Sequence, residues 1–211
     1  MSFRVALTFD AEYADRPTRP GVQERIIETL AQAAVDASFF VQGRWAEANP
    51  ETARLIVAGG HLVGNHSHYH ARMTLFSERG FQADVRFAER AIKRVMGVDP
   101  RPWFRYPFGA GADSRRLLNR LGAASYRSAG WHVDTKDWHV RATGRAVERT
   151  AVEGAVGWGD GAIVLFHTWP VATLQALPAV LVRLRDAGAV FVRLDALRAD
   201  ELPAGPPMAR G

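Results

Sequence analysis

The chain has 211 residues, 47% of them hydrophobic and 23% charged, which suits one globular domain with its own core. It contains no cysteine, so a disulfide, a thiol nucleophile and a Cys-ligated zinc are all excluded, and any metal must use histidine and carboxylate. The net charge is +5, but the arginines are scattered without a basic stripe, so we expect no nucleic-acid partner.

No stretch of the sequence approaches the roughly 20 consecutive apolar residues of a membrane span, so we expect none. Residues 1–4 lead straight into an apolar run without a charged leader and apolar region typical of a signal peptide. We therefore expect the chain as given to be cytoplasmic, and extracytoplasmic if a leader has been removed.

Strand and helix patterns alternate along the chain. The predicted strands are 4–9, 37–41, 61–64, 103–105, 124–129, 162–166 and 190–194. The predicted helices are 22–34, 49–60, 77–96, 113–121, 145–156 and 173–187. Such alternation predicts an α/β fold with a parallel sheet covered by helices, in one domain over residues 1–200. The proline-containing tail, 201–211, is predicted to be disordered.

Two features of the sequence indicate a hydrolytic metal site. Asp10 ends the apolar run 5–9, and His66 and His70 are four residues apart in a histidine-rich segment. Histidines at this spacing share one side of a helical turn, so both imidazoles can point at one cation. A polar loop that is merely rich in histidine is the alternative.

Six motifs follow one another in an order and spacing that is typical of a known family. They are Thr8-Phe9-Asp10, Ser38-Phe39-Phe40, the segment from Gly60-His61 to His70, Arg105-Tyr106-Pro107-Phe108-Gly109, Asp134-Thr135-Lys136-Asp137-Trp138 and Leu165-Phe166-His167. Over residues 3–194 the chain resembles the polysaccharide deacetylases, also called NodB-homology domains or family 4 carbohydrate esterases. The resemblance implies a distorted (β/α)7 barrel, with active residues at the carboxyl ends of the strands.

The resemblance also implies a role for each matched residue. Asp10 matches a general base, Arg105 the arginine that holds it, and His167, after an apolar strand, the general acid. His66 and His70 match metal ligands. One of the carboxylates Asp134 and Asp137 is implied to pair with His167, and we favour Asp134. The implied metal is zinc, with cobalt or nickel as alternatives.

The motif around Asp10 departs from the family pattern. The family usually has a second aspartate directly after the first, where this chain has Asp10-Ala11-Glu12. Residues i and i+2 of a strand project to the same side, so we expect Glu12 to stand beside Asp10 and to replace the missing ligand. A solvated loop carboxylate is the alternative.

Four residues are candidates for substrate binding: Phe108, Asp137, Trp138 and Trp169. Phe108 stands where the family commonly has tyrosine, and its backbone N–H matches a donor to the reaction's oxyanion. Tryptophans near the site can form an apolar wall for an acetyl methyl group or a sugar face, although core packing accounts for Trp131 equally well.

We expect a metal-dependent hydrolase that removes acetyl from N-acetylated amino sugars of peptidoglycan, chitin-type oligomers or a related glycoconjugate. The first alternative is an amidohydrolase of the same fold with weak or no metal dependence, acting on a small cyclic amide or ureide. The second is a non-catalytic sugar-binding relative, which would have no need for an acid and a base.

Overall fold

The structure is a computed structural model and describes residues 2–15 and 18–206. The strands are β1 (Phe3–Ala11), β2 (Ser38–Val41), β3 (Leu62–Asn65), β4 (Trp103–Phe104), β5 (Arg127–Ser128), β6 (Val133–Asp134), β7 (Ala162–His167) and β8 (Ala189–Phe191). The helices are α1 (Val22–Gln32), α2 (Gly43–Ala48), α3 (Pro50–Ala58), α4 (Glu78–Met96), α5 (Arg115–Ala123), α6 (Gly144–Trp158) and α7 (Val171–Asp186). The sequence did not predict α2 or β6.

The paired strands run parallel, and they lie side by side in the order β5-β4-β3-β2-β1-β7-β6. β8 pairs with the first residues of β1, on the edge that β2 occupies farther along. Within the described residues no pairing joins β5 to β6, so the curled sheet stays open there. This architecture confirms the expected distorted (β/α)7 barrel.

The alternation of side chains along β1 separates the barrel interior from the layer under the helices. Val5, Leu7 and Phe9 pack in the larger apolar cluster with side chains from the surrounding helices. Ala6 packs instead with Ile163 and Leu165 of β7, in a second cluster inside the barrel. Because side chains alternate along a strand, the last residues of β1 and β7 present polar groups to the interior at one end of the barrel.

The predicted tail begins with residues that the structure describes as packed. Gly130 donates its backbone N–H to the Pro203 carbonyl over 2.6 Å, and Trp131 donates to Gly205 over 3.4 Å. Residues 201–206 therefore bind along the segment between β5 and β6, at the open side of the sheet. These hydrogen bonds hold residues 203–205 against the barrel despite the prolines in this part of the chain. Residues 207–211 lie outside the described residues.

No helix among residues 2–15 and 18–206 is long and apolar enough to cross a membrane.

Candidate active site

The carboxyl ends of the strands surround one cavity of about 430 Å³. Its lining comprises Asp10, Glu12, Tyr13, His66, His70, Phe108, Trp131, Asp134, Trp138, Leu165, His167 and Trp169. Most of the residues that the sequence singled out thus share one pocket, although they are separated by up to 159 positions along the chain. Parallel strands bring them together because their carboxyl ends meet at the same rim.

Glu12, His66 and His70 form a group that can hold a metal ion. One ligand atom from each lies within 4.8 Å of the others, and Glu12 Oε2 is 3.2 Å from His66 Nε2. Glu12 Oε2 also contacts His70 Nε2 closely. Neighbouring ligands of a tetrahedral zinc at about 2.0–2.1 Å are separated by roughly 3.3 Å. The Glu12–His66 separation matches this value, and two imidazoles with one carboxylate are a ligand set found in catalytic zinc sites.

The segment that carries the two histidines is a loop, not the helical turn that the spacing predicts. Ser67 and His70 have φ of 64° and 52°, which a right-handed helix does not allow. Asn65 Oδ1 accepts from the Ser67 N–H over 2.8 Å, and Ser67 Oγ accepts from the His70 N–H over 2.9 Å. Side chains that take up backbone donors in this way favour turns over helix. The two imidazoles still meet, with ring centroids 4.9 Å apart.

The orientation of His66 is fixed by the chain that follows β4. The Arg105 carbonyl lies 2.9 Å from His66 Nδ1, so that nitrogen carries the proton and Nε2 is free to bind a cation. Burial acts against charge on this ring, but the nearby carboxylates of Asp10 and Glu12 raise the pKa of His66. Burial also acts against charge on Glu12, yet hydrogen bonds from His66 and His70 hold the pKa of Glu12 well below its usual range.

Asp10 and Arg105 form a buried ion pair, as the sequence predicts. Arg105 Nη1 donates to Asp10 Oδ1 over 2.8 Å, while Asp10 Oδ2 stays 3.4 Å from His66 Nε2. The Arg105 side chain is 1% exposed and lies over the Phe40 ring at 4.0 Å. One Asp10 oxygen is therefore fixed by the guanidinium, and the other faces the ligand group.

The carboxylate that pairs with His167 is Asp137, so the preference for Asp134 is wrong. Asp137 Oδ1 lies 2.7 Å from His167 Nδ1, and its Oδ2 accepts from the His167 backbone N–H and the Thr173 hydroxyl. Asp134 Oδ1 instead accepts from the Lys136 N–H. Asp134 is the last residue of β6, and the tight turn after it brings Asp137 behind the His167 ring. Asp137 is buried and absent from the cavity lining, which argues against its predicted contact with substrate.

The carboxylate behind His167 also sets its protonation. Burial acts to lower the pKa of His167, but the charge and hydrogen bond of Asp137, with smaller contributions from Glu12 and Asp10, raise that pKa to about 10. His167 Nε2 lies 3.8 Å from Glu12 Oε1 and therefore faces the cavity. The ring is arranged to carry a proton at neutral pH and to present it beside the ligand group.

Aromatic side chains form the cavity wall. The ring centroids of Phe108 and His70 are 4.6 Å apart. Phe108 is half exposed, with φ of 59°. Trp138 is 46% exposed at the rim, whereas Trp131 is buried. Trp169 stands 6.0 Å from the His167 ring. The wall can therefore receive a flat or apolar part of a ligand.

Sequence reasoning missed the groups that hold Arg105 in place. Its Nε donates to the Ala129 carbonyl over 3.0 Å, its Nη2 to the Gly130 carbonyl over 2.9 Å, and its Nη1 to Thr8 Oγ1 over 3.0 Å. Backbone carbonyls leave no residue signature, so only the fold could reveal two of these contacts. Gly130 is also the residue whose N–H binds Pro203, which links the 201–206 segment to the arginine.

The chain is similar in sequence to known deacetylases. A family model described as polysaccharide deacetylase matches residues 2–127. The peptidoglycan-N-acetylglucosamine deacetylase PgdA of Listeria monocytogenes is 32% identical over 202 residues, which is 96% of this chain and 40% of that protein. The chain thus spans less than half the length of this relative.

Two solved structures are similar over nearly the whole chain. A T48 deacetylase determined with substrate superposes with a TM-score of 0.80 at 31% identity, covering 98% of this chain and 97% of that one. BA3943, a CE4 family pseudoenzyme from Bacillus anthracis, superposes with a TM-score of 0.82 at 26% identity, covering 93% of this chain and 65% of that one. The same fold therefore occurs in a deacetylase and in a pseudoenzyme. The function of this chain must be inferred from the side chains of the site.

Proposed function

We propose, from the premise that this chain belongs to the polysaccharide deacetylase family, that it is a metal-dependent hydrolase removing acetyl from N-acetylated amino sugars. The observation that carries the proposal is the convergence of Glu12, His66 and His70 beside Asp10 and His167 in one cavity. The substrate is a polysaccharide or oligosaccharide such as peptidoglycan, the substrate named for the Listeria relative, or a chitin-type oligomer.

Glu12, His66 and His70 would hold a divalent ion, with zinc best suited to this ligand set and cobalt or nickel as substitutes. When bound, the ion supplies a polarised acetyl carbonyl and a water of lowered pKa. Glu12 takes the place of the aspartate that relatives usually carry at the Ala11 position. Its contacts with both imidazoles support this replacement.

Asp10 acts as the general base. Its free oxygen takes a proton from the attacking water as the water oxygen forms a bond to the acetyl carbon. Arg105 keeps Asp10 oriented throughout through their own hydrogen bond, because three further hydrogen bonds to Thr8, Ala129 and Gly130 fix the guanidinium. The Phe108 backbone N–H is our candidate donor to the oxyanion that forms on the acetyl oxygen.

His167 acts as the general acid. Its Nε2 proton passes to the amide nitrogen as the C–N bond breaks, which releases acetate and the free amino sugar. Asp137 stabilises the imidazolium that must exist before this step. An acid and a base beside the ligand group serve amide hydrolysis and have no use in a protein that only binds sugar.

The experiment measures acetate released from N-acetylglucosamine oligomers and from peptidoglycan by chelator-treated protein, before and after zinc is added back. We expect release that depends on zinc, and release slowed roughly 10²-fold or more in Asp10→Asn, which keeps all three metal ligands. Metal-independent hydrolysis of a cyclic amide or ureide, without acetate release, would favour the amidohydrolase alternative. Glycan binding without hydrolysis by zinc-loaded protein would favour a non-catalytic relative.

A further inference from the structure

A second cavity, of about 480 Å³, lies outside the barrel between α4 and α5 and shares no lining residue with the candidate active site. Four arginines line it, and Glu89 is the one acid among its described lining residues. The arginines are Arg86, Arg90, Arg101 and Arg120. This excess of positive charge at a concave surface favours an anionic ligand.

The charges that line this cavity are unevenly paired. Glu89 accepts a hydrogen bond from Lys93 over 2.7 Å, and Arg101 forms an ion pair with Asp99. The charges of Glu89 and Arg101 are therefore each paired with an opposite charge. Arg86 and Arg90 are exposed and make no ion pair with any residue that the structure describes, although the Arg90 guanidinium lies over the Phe87 ring at 4.8 Å. They stand one helical turn apart on α4, where like charges repel. A bound anion would relieve this repulsion.

Arg120 provides a second, independent indication of a ligand. Its side chain is only 16% exposed, and its Nε is paired with Glu78. Its Nη1 is buried, with no hydrogen-bond partner among the described residues. A buried guanidinium N–H without an acceptor is unfavourable, and arginine readily supplies such donors to phosphate oxygens.

The remaining lining is largely apolar and includes Phe81, Val85, Ala123 and Ala124. A cavity of this size has room for more than a single oxyanion. We propose that this cavity binds a small phosphate monoester, with its dianionic phosphate on the arginines and its organic part against the apolar floor. The site is separate from the proposed deacetylase chemistry and does not depend on it.

Calorimetric titration in phosphate-free buffer tests the proposal with glucose 6-phosphate, inorganic phosphate and glucose as probes. The sugar phosphate should bind more tightly than inorganic phosphate, and glucose should give no heat. The double variant Arg86→Gln/Arg90→Gln should weaken sugar phosphate binding at least tenfold, because it removes the two lining cations that have no carboxylate partner among the described residues.

The matched control is Arg115→Gln/Arg116→Gln, which removes the same charge from exposed arginines of α5 that do not line the cavity. It should change the affinity less than twofold. Equal loss in both double variants would reduce the effect to net charge and overturn the proposal. No heat from the sugar phosphate with wild-type protein, or equal affinity for inorganic phosphate, would also overturn it.

Discussion

Replacing Asp137 with asparagine should move the alkaline limit of turnover downwards by more than one pH unit. His167 donates its Nδ1 proton to Asp137 over 2.7 Å, and that carboxylate contributes most to the high pKa of the ring. An asparagine removes the charge and has one side-chain oxygen where Asp137 has two. It therefore cannot replace both Asp137 oxygens, one of which accepts from the His167 ring and the other from the His167 backbone N–H. Burial then dominates and lowers the pKa of His167 towards or below about 6.5.

The magnitude follows from the fraction of His167 that keeps its proton. With a pKa of about 10 the ring is almost fully protonated at pH 8, although a cation beside Glu12 would lower that pKa somewhat. With a pKa of about 6.5, only about 3% is protonated at pH 8, so kcat should fall about 30-fold there. The deficit should shrink as the pH is lowered, because the acid form returns.

The assay is kcat against pH for acetate release from an N-acetylglucosamine oligomer. Asp134→Asn is the matched control, since Asp134 also lines the cavity but bonds Lys136 and not His167. Its alkaline limit should match that of the wild type. An unchanged limit in Asp137→Asn, or an equal shift in Asp134→Asn, would refute the assignment of His167 as an acid tuned by Asp137.

Three further predictions test the rest of the site. Asp10→Asn should lower kcat by roughly 10²-fold or more while zinc affinity changes little, and an active variant would remove Asp10 as the base. Glu12→Ala should weaken zinc binding roughly tenfold or more. Adding Ala11→Asp should not restore zinc binding but should destabilise the fold by about 3 kcal/mol or more in chemical denaturation, because Ala11 packs in the apolar cluster beneath the helices. Restored zinc binding in that double variant would show that residue 11 faces the metal site. Gly130→Ala should displace the 201–206 segment, since a Cβ there would lie 1.9 Å from the Gly205 carbonyl oxygen, and should lower kcat on the order of tenfold through Arg105. Gly122→Ala, which has open space around its Cβ, should leave kcat unchanged. Equal kcat in both variants would show that the 201–206 segment does not affect catalysis.

The sequence predicted the polar ends of the long strands well, because an ionisable residue is costly to bury at the end of an apolar strand unless it faces a polar site. Asp10 and His167 are of this kind, and each lies where the alternation along its strand requires. The pairing of Arg105 with Asp10 followed from the family resemblance and is confirmed by their contact.

The parts that the sequence could not predict depend on loops. The approach of His66 to His70 rests on positive φ angles and on side chains that bind the backbone, and a histidine spacing alone cannot distinguish this from a helical turn. The choice between Asp134 and Asp137 rests on the direction of a turn after the two-residue strand β6. The contacts of residues 203–205 are made with partners more than 70 positions away, which a sequence pattern does not reveal.

Zinc binding tests the central claim most directly. Calorimetric titration of chelator-treated wild-type protein should show one zinc per chain, and the double variant His66→Ala/His70→Ala should show none at the same concentrations. His139→Ala, which removes an exposed histidine outside the cavity lining, should titrate like the wild type. Absence of zinc binding by the wild type, or binding that survives loss of both His66 and His70, would contradict a metal site built on these residues.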